Sequence, residues 1–166
     1  MTARYVKLQG IERGLPYGYS LYEVEITRQE VMMTTSDIYN AAAGATVTCS
    51  GSENAGFSTA ALVDEDTNTR WASNFADDAW FIIDLGAIKH FYEIELNWEA
   101  AYGKKYTISV STDGMNYDTI VSQQNGKGGI ESYDCNVSAR YIKVQGIERA
   151  LPYGYSLYEV QVQAAR

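Results

Sequence analysis

Residues 93–121 read EIELNWEAAYGKKYTISVSTDGMNYDTIV. Ile94, Leu96 and Trp98 alternate with Glu93, Glu95 and Asn97, and after a short break Tyr106, Ile108 and Val110 alternate with Thr107, Ser109 and Ser111. A period of two sends successive side chains to opposite faces, so both runs predict strands with one buried face. Asp113-Gly114 supplies turn chemistry between the second run and MNYDTIV. Downstream, Gly126, Gly128 and Gly129 interrupt the chain before ESYDCNV. Ile142 and Val144, then Tyr158, Val160 and Val162, form two closing strands joined by GIERALPYGYS. Upstream, AWFIIDL at 79–85 is expected as a central strand buried on both faces. Short strands at this spacing predict an all-β sandwich. Trp71, Trp80 and Trp98 are expected in its core with Tyr106, Tyr141 and Tyr158, and Tyr155 is expected to pack as well.

Composition narrows the function. A chain of 166 residues holds one full domain and little more. Thirteen basic against 21 acidic residues give a net charge of −8, which offers no grip on a phosphate backbone, so nucleic acid is not an expected partner. Anionic membrane surfaces are disfavoured for the same reason, and no apolar run approaches the roughly 18 residues of a spanning helix. Cys49, Cys135 and the single His90 do not make a zinc set. A Cys49–Cys135 disulfide and two free thiols both remain open. No secretory signal pattern opens the chain at Met1.

The chain also repeats itself. Residues 3–26 read ARYVKLQGIERGLPYGYSLYEVEI and residues 139–162 read ARYIKVQGIERALPYGYSLYEVQV, with five differences in 24 positions. The offset of 136 residues exceeds any solenoid period and matches a whole domain. Residues 1–27 therefore read as the closing strand pair of a preceding tandem copy, 28–44 as a linker or first loop, and 45–166 as a complete domain. A larger, multi-domain parent follows. Because residues 3–26 can form the same strands as 139–162, a strand-swapped homodimer through them is a further expectation.

Four stretches in order, DEDTNTRW (64–71), WFIIDLG (80–86), NWEAAYGKKYTISVSTDG (97–114) and ARYIKVQG followed by YGYSLYEVQV, resemble the coagulation factor 5/8 type C, or discoidin-like, domains of carbohydrate-binding module family 32. The resemblance covers about 45–163. It implies a jelly-roll β-sandwich of the galactose-binding-domain-like kind, a structural calcium ion (Ca2+) and a sugar site in loops at one end. On that pattern Asp64, Asp66, Thr69 and Glu159 surround the ion, and a hard cation does want such oxygen donors. Glu65 stands where the family usually has glycine. Sugar recognition needs an aromatic face and planar hydrogen-bonding groups. The loops offer Glu53, Asn54 and Phe57; Ser73, Asn74 and Phe75; Glu99, Tyr102 and Lys104; and Arg149 and Tyr153, the last loop being the strongest candidate. Arg70 is expected as a structural ion-pair partner. His90 is expected at a turn far from these loops.

The resulting expectation is a non-catalytic carbohydrate-binding module that keeps an attached glycoside hydrolase or surface protein on a polysaccharide. It would be extracellular or cell-surface and bacterial. Asn74, uncharged where some chitosan-binding relatives carry an acid, favours a neutral glucan over chitosan. The rival reading is an adhesion or lipid-binding module. An enzyme is not expected, since no Ser-His-Asp or Cys-His set is present and nothing in the sequence places two of Glu53, Asp77 and Glu99 across a cleft.

Overall fold

The computed structural model describes residues 7–12, 14–22, 24 and 37–166. The chain divides into two compact units, Met1–Met32 and Met33–Arg166. In the first, the described residues form no strand, and Leu8, Leu15, Tyr17, Tyr19 and Leu21 are exposed. The remaining positions of residues 3–26, and residues 28–36 of the expected linker, lie outside the described residues.

The second unit is all-β among its described residues, with a short 3-10 helix at Thr59–Leu62. Its strands are β1 (Ile38–Asn40), β2 (Thr46–Cys49), β3 (Trp71–Ala72), β4 (Trp80–Trp98), β5 (Gly103–Ser111), β6 (Asp118–Gln123), β7 (Ile130–Arg149) and β8 (Ser156–Ala165). All pairings are antiparallel. Strands β4 and β7 are long enough to serve two sheets. Trp80–Asp84 of β4 pairs with β2 and with the second half of β7, which in turn pairs with β5, and β5 with β6. Phe91–Trp98 of β4 pairs with the first half of β7 and with β8, and β8 with β1 and β3. The two layers close as a jelly-roll sandwich.

The corner between the layers has a local cause. The β4–β7 register breaks between Asp84 and Lys89, where Gly86 adopts φ 77°. Arg140 grips Asp84 through two hydrogen bonds of 2.7 and 2.8 Å, and Gly86 N–H donates to the same carboxylate. The Arg140 hydrogen bond holds the Asp84 carboxyl below its ordinary range.

Side chains from both sheets meet between them. Trp98 of one lies 5.2 Å from Tyr106 of the other, and Trp71 lies edge-on to Phe81 at 5.5 Å. Ile83, Ile94, Leu96, Ile108, Ile142 and Leu157 are fully buried around them. Three expectations change. Trp80 is only half-buried, with Lys143 Nζ 5.5 Å from its ring, as are Tyr141 and Tyr158. AWFIIDL buries Phe81, Ile83 and Leu85 but leaves Ile82 and Asp84 half-exposed, so it has one buried face. The stretch 28–44 includes β1, a three-residue edge strand too short to show a period. His90 stands within β4, bonded to Ser138 Oγ at 2.9 Å. Cys49 and Cys135 are free thiols.

Trp71→Ala is expected to cost about 3–5 kcal/mol in urea unfolding, the range for truncating a fully buried aromatic side chain, and Trp80→Ala well below that.

Candidate functional site

Four loops gather at one end because hydrogen bonds tie them together. Glu53 N–H donates to Ala72 O at 2.9 Å, Ser73 N–H to Tyr155 O at 2.8 Å, Glu99 N–H to Ser156 O at 2.9 Å, and Ala150 N–H to Tyr102 O at 3.0 Å. The first loop (50–58), the turn after β3, the β4–β5 connection and the β7–β8 connection are therefore one surface.

A cleft with about 340 Å³ of water-accessible space runs between them, lined by Glu53, Arg70, Glu99, Leu151, Tyr153 and Ser156 among others. Two carboxylates, one guanidinium and one exposed phenol thus converge. Tyr153 stands edge-on to exposed Phe75, with ring centres 6.4 Å apart. Such a projecting aromatic pair suits the C–H face of a sugar ring. Arg70 is fixed: its Nη1 donates to Ser156 Oγ at 2.8 Å and its guanidinium lies 4.4 Å over the Phe57 ring. Glu99 keeps one oxygen on Ala101 N–H at 3.0 Å, leaving the other for a ligand.

The loop that presents Tyr153 is fastened from behind. Arg149 Nε donates to Asp77 at 2.8 Å and Nη1 to Tyr153 O at 3.1 Å, while the Tyr155 hydroxyl donates to Asp77 O at 2.7 Å. The Arg149 hydrogen bonds hold the Asp77 carboxyl below its ordinary range. At Gly154 a Cβ would stand 2.2 Å from Ser73 O, so only glycine allows the two backbones this close.

Of the eleven sequence candidates, Glu53, Glu99 and Tyr153 share the cleft, Phe75 stands edge-on to Tyr153, and Ser73 is buried, accepting from Tyr155 N–H. Arg149 holds its loop. Lys104 and Lys105 both pair with Glu148 at 2.6 Å, and Tyr102 lies against Gly128. Asn74 sits beside Gly51, and Asn54 accepts from Gly56 N–H at 2.8 Å within its own loop. Phe57 backs Arg70 and faces a second cleft with Asp64, Thr69 and Tyr158. Arg70, Leu151 and Ser156 are additions. The strand period is the one signal for Arg70: it precedes buried Trp71 and so must point the other way.

The acidic loop is a separate feature. Thr69 Oγ1 donates to Asp64 at 2.8 Å, and the Asp66 carboxylate accepts from Asn68 N–H at 2.9 Å and Asn68 Nδ2 at 2.7 Å. Glu65 has φ 61°, the left-handed conformation that glycine adopts freely. Its N–H donates to Glu159 Oε2 at 3.0 Å, while Glu159 Oε1 is buried without a partner. Burial, reinforced by Asp64 and Glu65, pushes the Glu159 carboxyl up to about 7. Among the described residues, no three His, Cys, Asp or Glu side chains converge as a ready metal cluster.

A family model for the NedA-like, galactose-binding domain of the F5/8 type C group matches residues 61–144. The chain belongs to this family. Two solved structures are similar to this galactose-binding-like module over nearly their whole length. Chitosan-binding module 1 of a chitosanase/glucanase from Paenibacillus sp. IK-5 is 40% identical with a TM-score of 0.72, covering 75% of this chain and 98% of that one. Module 2 of the same enzyme, solved with chitotriose, is 36% identical with a TM-score of 0.72, covering 74% and 98%. A polysaccharide lyase 8 family protein, HylA of Enterococcus faecalis (strain ATCC 700802 / V583), is 41% identical over 87 residues, 50% of this chain and 6% of that protein.

Two outcomes test this geometry. Gly154→Ala should lower stability by about 1–3 kcal/mol, the usual cost of forcing extra volume into a packed site, measured by thermal unfolding. In metal-free buffer, Glu159 keeps its proton up to about 7 when folded but releases it near 4.5 when unfolded. Its contribution to stability is therefore present below pH 4.5 and lost as pH rises to 7, amounting to at most about 3 kcal/mol. Glu159→Gln should flatten that slope in denaturant titrations.

Proposed function

We propose that this module binds amino-sugar polysaccharides of the chitosan class without acting on them, and keeps a larger protein on that substrate. One observation carries the reading: Glu53 and Glu99 face a single open cleft beside the projecting Tyr153. A glucosamine unit brings an ammonium group for the carboxylates and a C–H face for the ring, and Arg70 offers planar donors to its hydroxyls. The chain's net charge of −8 attracts a polycation. Asn74 lies outside the cleft, so its lack of charge does not decide the ligand. The names of the Paenibacillus modules, 36–40% identical, support the same chemistry.

The module works outside the cell, where such polymers are. No helix among the described residues is long and apolar enough to cross a membrane.

We further assign a structural calcium ion to the acidic loop. The support is the buried Glu159 Oε1 that lacks a partner, with Asp64, Asp66 and the Thr69 hydroxyl in the adjoining loop. These are the oxygen donors that a hard cation takes. Bound there, the ion would neutralise Glu159 and its acidic neighbours.

Isothermal titration with chitotriose, N-acetylated chitotriose and laminarin tests the ligand. Chitotriose should bind best, Tyr153→Ala should weaken it by about 10-fold or more, in the range of a lost aromatic contact, and Glu53→Gln with Glu99→Gln should erase the preference for the amino form. Equal binding of all three sugars, unaffected by the Gln changes, would overturn the reading. Calcium should raise the melting temperature of the wild type and leave Glu159→Gln unmoved.

A further inference from the structure

The two copies of the repeat occupy opposite environments. In residues 139–162, Val144 is 3% exposed, Tyr155 3%, and Leu157 and Val160 0%. Their counterparts Leu8, Tyr19, Leu21 and Val24 are 71%, 59%, 62% and 59% exposed. Every position of 139–162 that is buried has the same residue in 3–26 or another apolar one of similar size. The loop also closes on itself in both. A Cβ on Gly146 would lie 2.3 Å from the Tyr155 ring, and one on Gly10 would lie 2.2 Å from the Tyr19 ring. The close approach of Gly10 and Tyr19 thus matches that of Gly146 and Tyr155, and what the first copy lacks is a sandwich to close.

Exchange between two copies of this chain does not supply one. Each chain holds one sandwich body, residues 37–138, and two segments able to close it, so any swapped dimer leaves as many segments bare as it covers. The homodimer expected from the sequence thus gains no burial.

We infer that residues 3–26 are the closing strands of a second module of the same kind, and that its body covers Leu8, Tyr19, Leu21 and Val24. That module has its own ligand loop, since Glu12, Leu15, Tyr17, Gly18 and Ser20 repeat Glu148, Leu151, Tyr153, Gly154 and Ser156. Glu23 repeats Glu159. The two modules present closing loops of matching chemistry in tandem, and linkage of two binding modules raises avidity without a new contact. This last point rests on the carbohydrate reading proposed above, whereas the structural inference does not.

The body can be rebuilt by fusing a copy of residues 37–138 directly ahead of Ala3 in the full chain, because Ser138 precedes Ala139 in the complete module. Hydrogen exchange within 7–24 should slow by on the order of 100-fold or more against the unextended chain, as for amides drawn into a sheet. The number of chitotriose sites should rise from one to two. Exchange in 7–24 as fast as before would overturn the inference. So would protection in the unextended chain that grows with its concentration, since a second copy would then be the partner. Slowed exchange with no sugar bound at either site would keep the inference and sink the ligand reading instead.

A second variant guards against a fusion that fails to fold. Ile142→Val, Val144→Leu, Ala150→Gly, Gln161→Glu and Val162→Ile together write the sequence of 3–26 into 139–162. This chain should fold with the wild-type near-ultraviolet spectrum and melt within about 10 °C of it, the shift that one or two kcal/mol produces in a domain of this size. An unfolded product would show that residues 3–26 cannot close such a body.

Discussion

The module depends on one segment, residues 139–162, that supplies a strand to each of its two sheets. Ile142 and Val144 enter the core from the second half of β7, and Leu157, Val160 and Val162 enter it from β8. Strand β4 needs both: Trp80–Asp84 pairs with the β7 portion and Phe91–Trp98 with β8. Without this segment each half of β4 has an open edge and an uncovered face. Burial of full-sized apolar side chains is worth about 1.5–3 kcal/mol each, so several together dominate the margin of a domain whose net stability is of order 10 kcal/mol. The functional loop hangs between these anchored strands. Tyr153 is exposed, but Arg149, Gly154 and Tyr155 are fixed within four residues of it, so its loop has little conformational freedom left to lose.

How far the sequence showed this depends on the range of the interaction. Ile94, Leu96 and Trp98, like Tyr106, Ile108 and Val110, follow the strand period, which is local and needs no knowledge of the partner. The distinction between Trp98, deep in the core, and Trp80, half-covered by Lys143, depends on which neighbouring strand lies over each ring, and no local pattern records that. The site behaved likewise. That Tyr153 and Glu99 line one cleft is legible from their loop positions. Arg149 carries suitable chemistry in a suitable loop, yet Asp77, 72 residues away, takes its guanidinium. Arg70 reads as a structural ion-pair partner beside a buried tryptophan, whereas its place in the cleft follows from Ser156 and Phe57 arriving from two other elements. β1 was lost in a polar stretch because three residues suffice to edge a sheet and do not suffice to show a period.

The cleft and the acidic loop are neighbours through β3 and β8, and that adjacency has energetic content. Thr69 closes the acidic loop by bonding Asp64, and the next residue, Arg70, lines the cleft. On β8, Ser156 holds Arg70 while Glu159, three residues on, is buried against Glu65. Arg70 is thus located by a loop whose acidic groups repel one another and by a strand bearing a carboxylate that burial keeps protonated up to about 7. In the calcium reading proposed above, an ion at Glu159 would offset that repulsion and hold the loop's last residue, one peptide bond from Arg70 in the cleft. Glu65 fits the same logic. A non-glycine residue in the left-handed region costs of order 1 kcal/mol, and what that conformation secures is the N–H bond to Glu159, which pins the acidic loop to the closing strand.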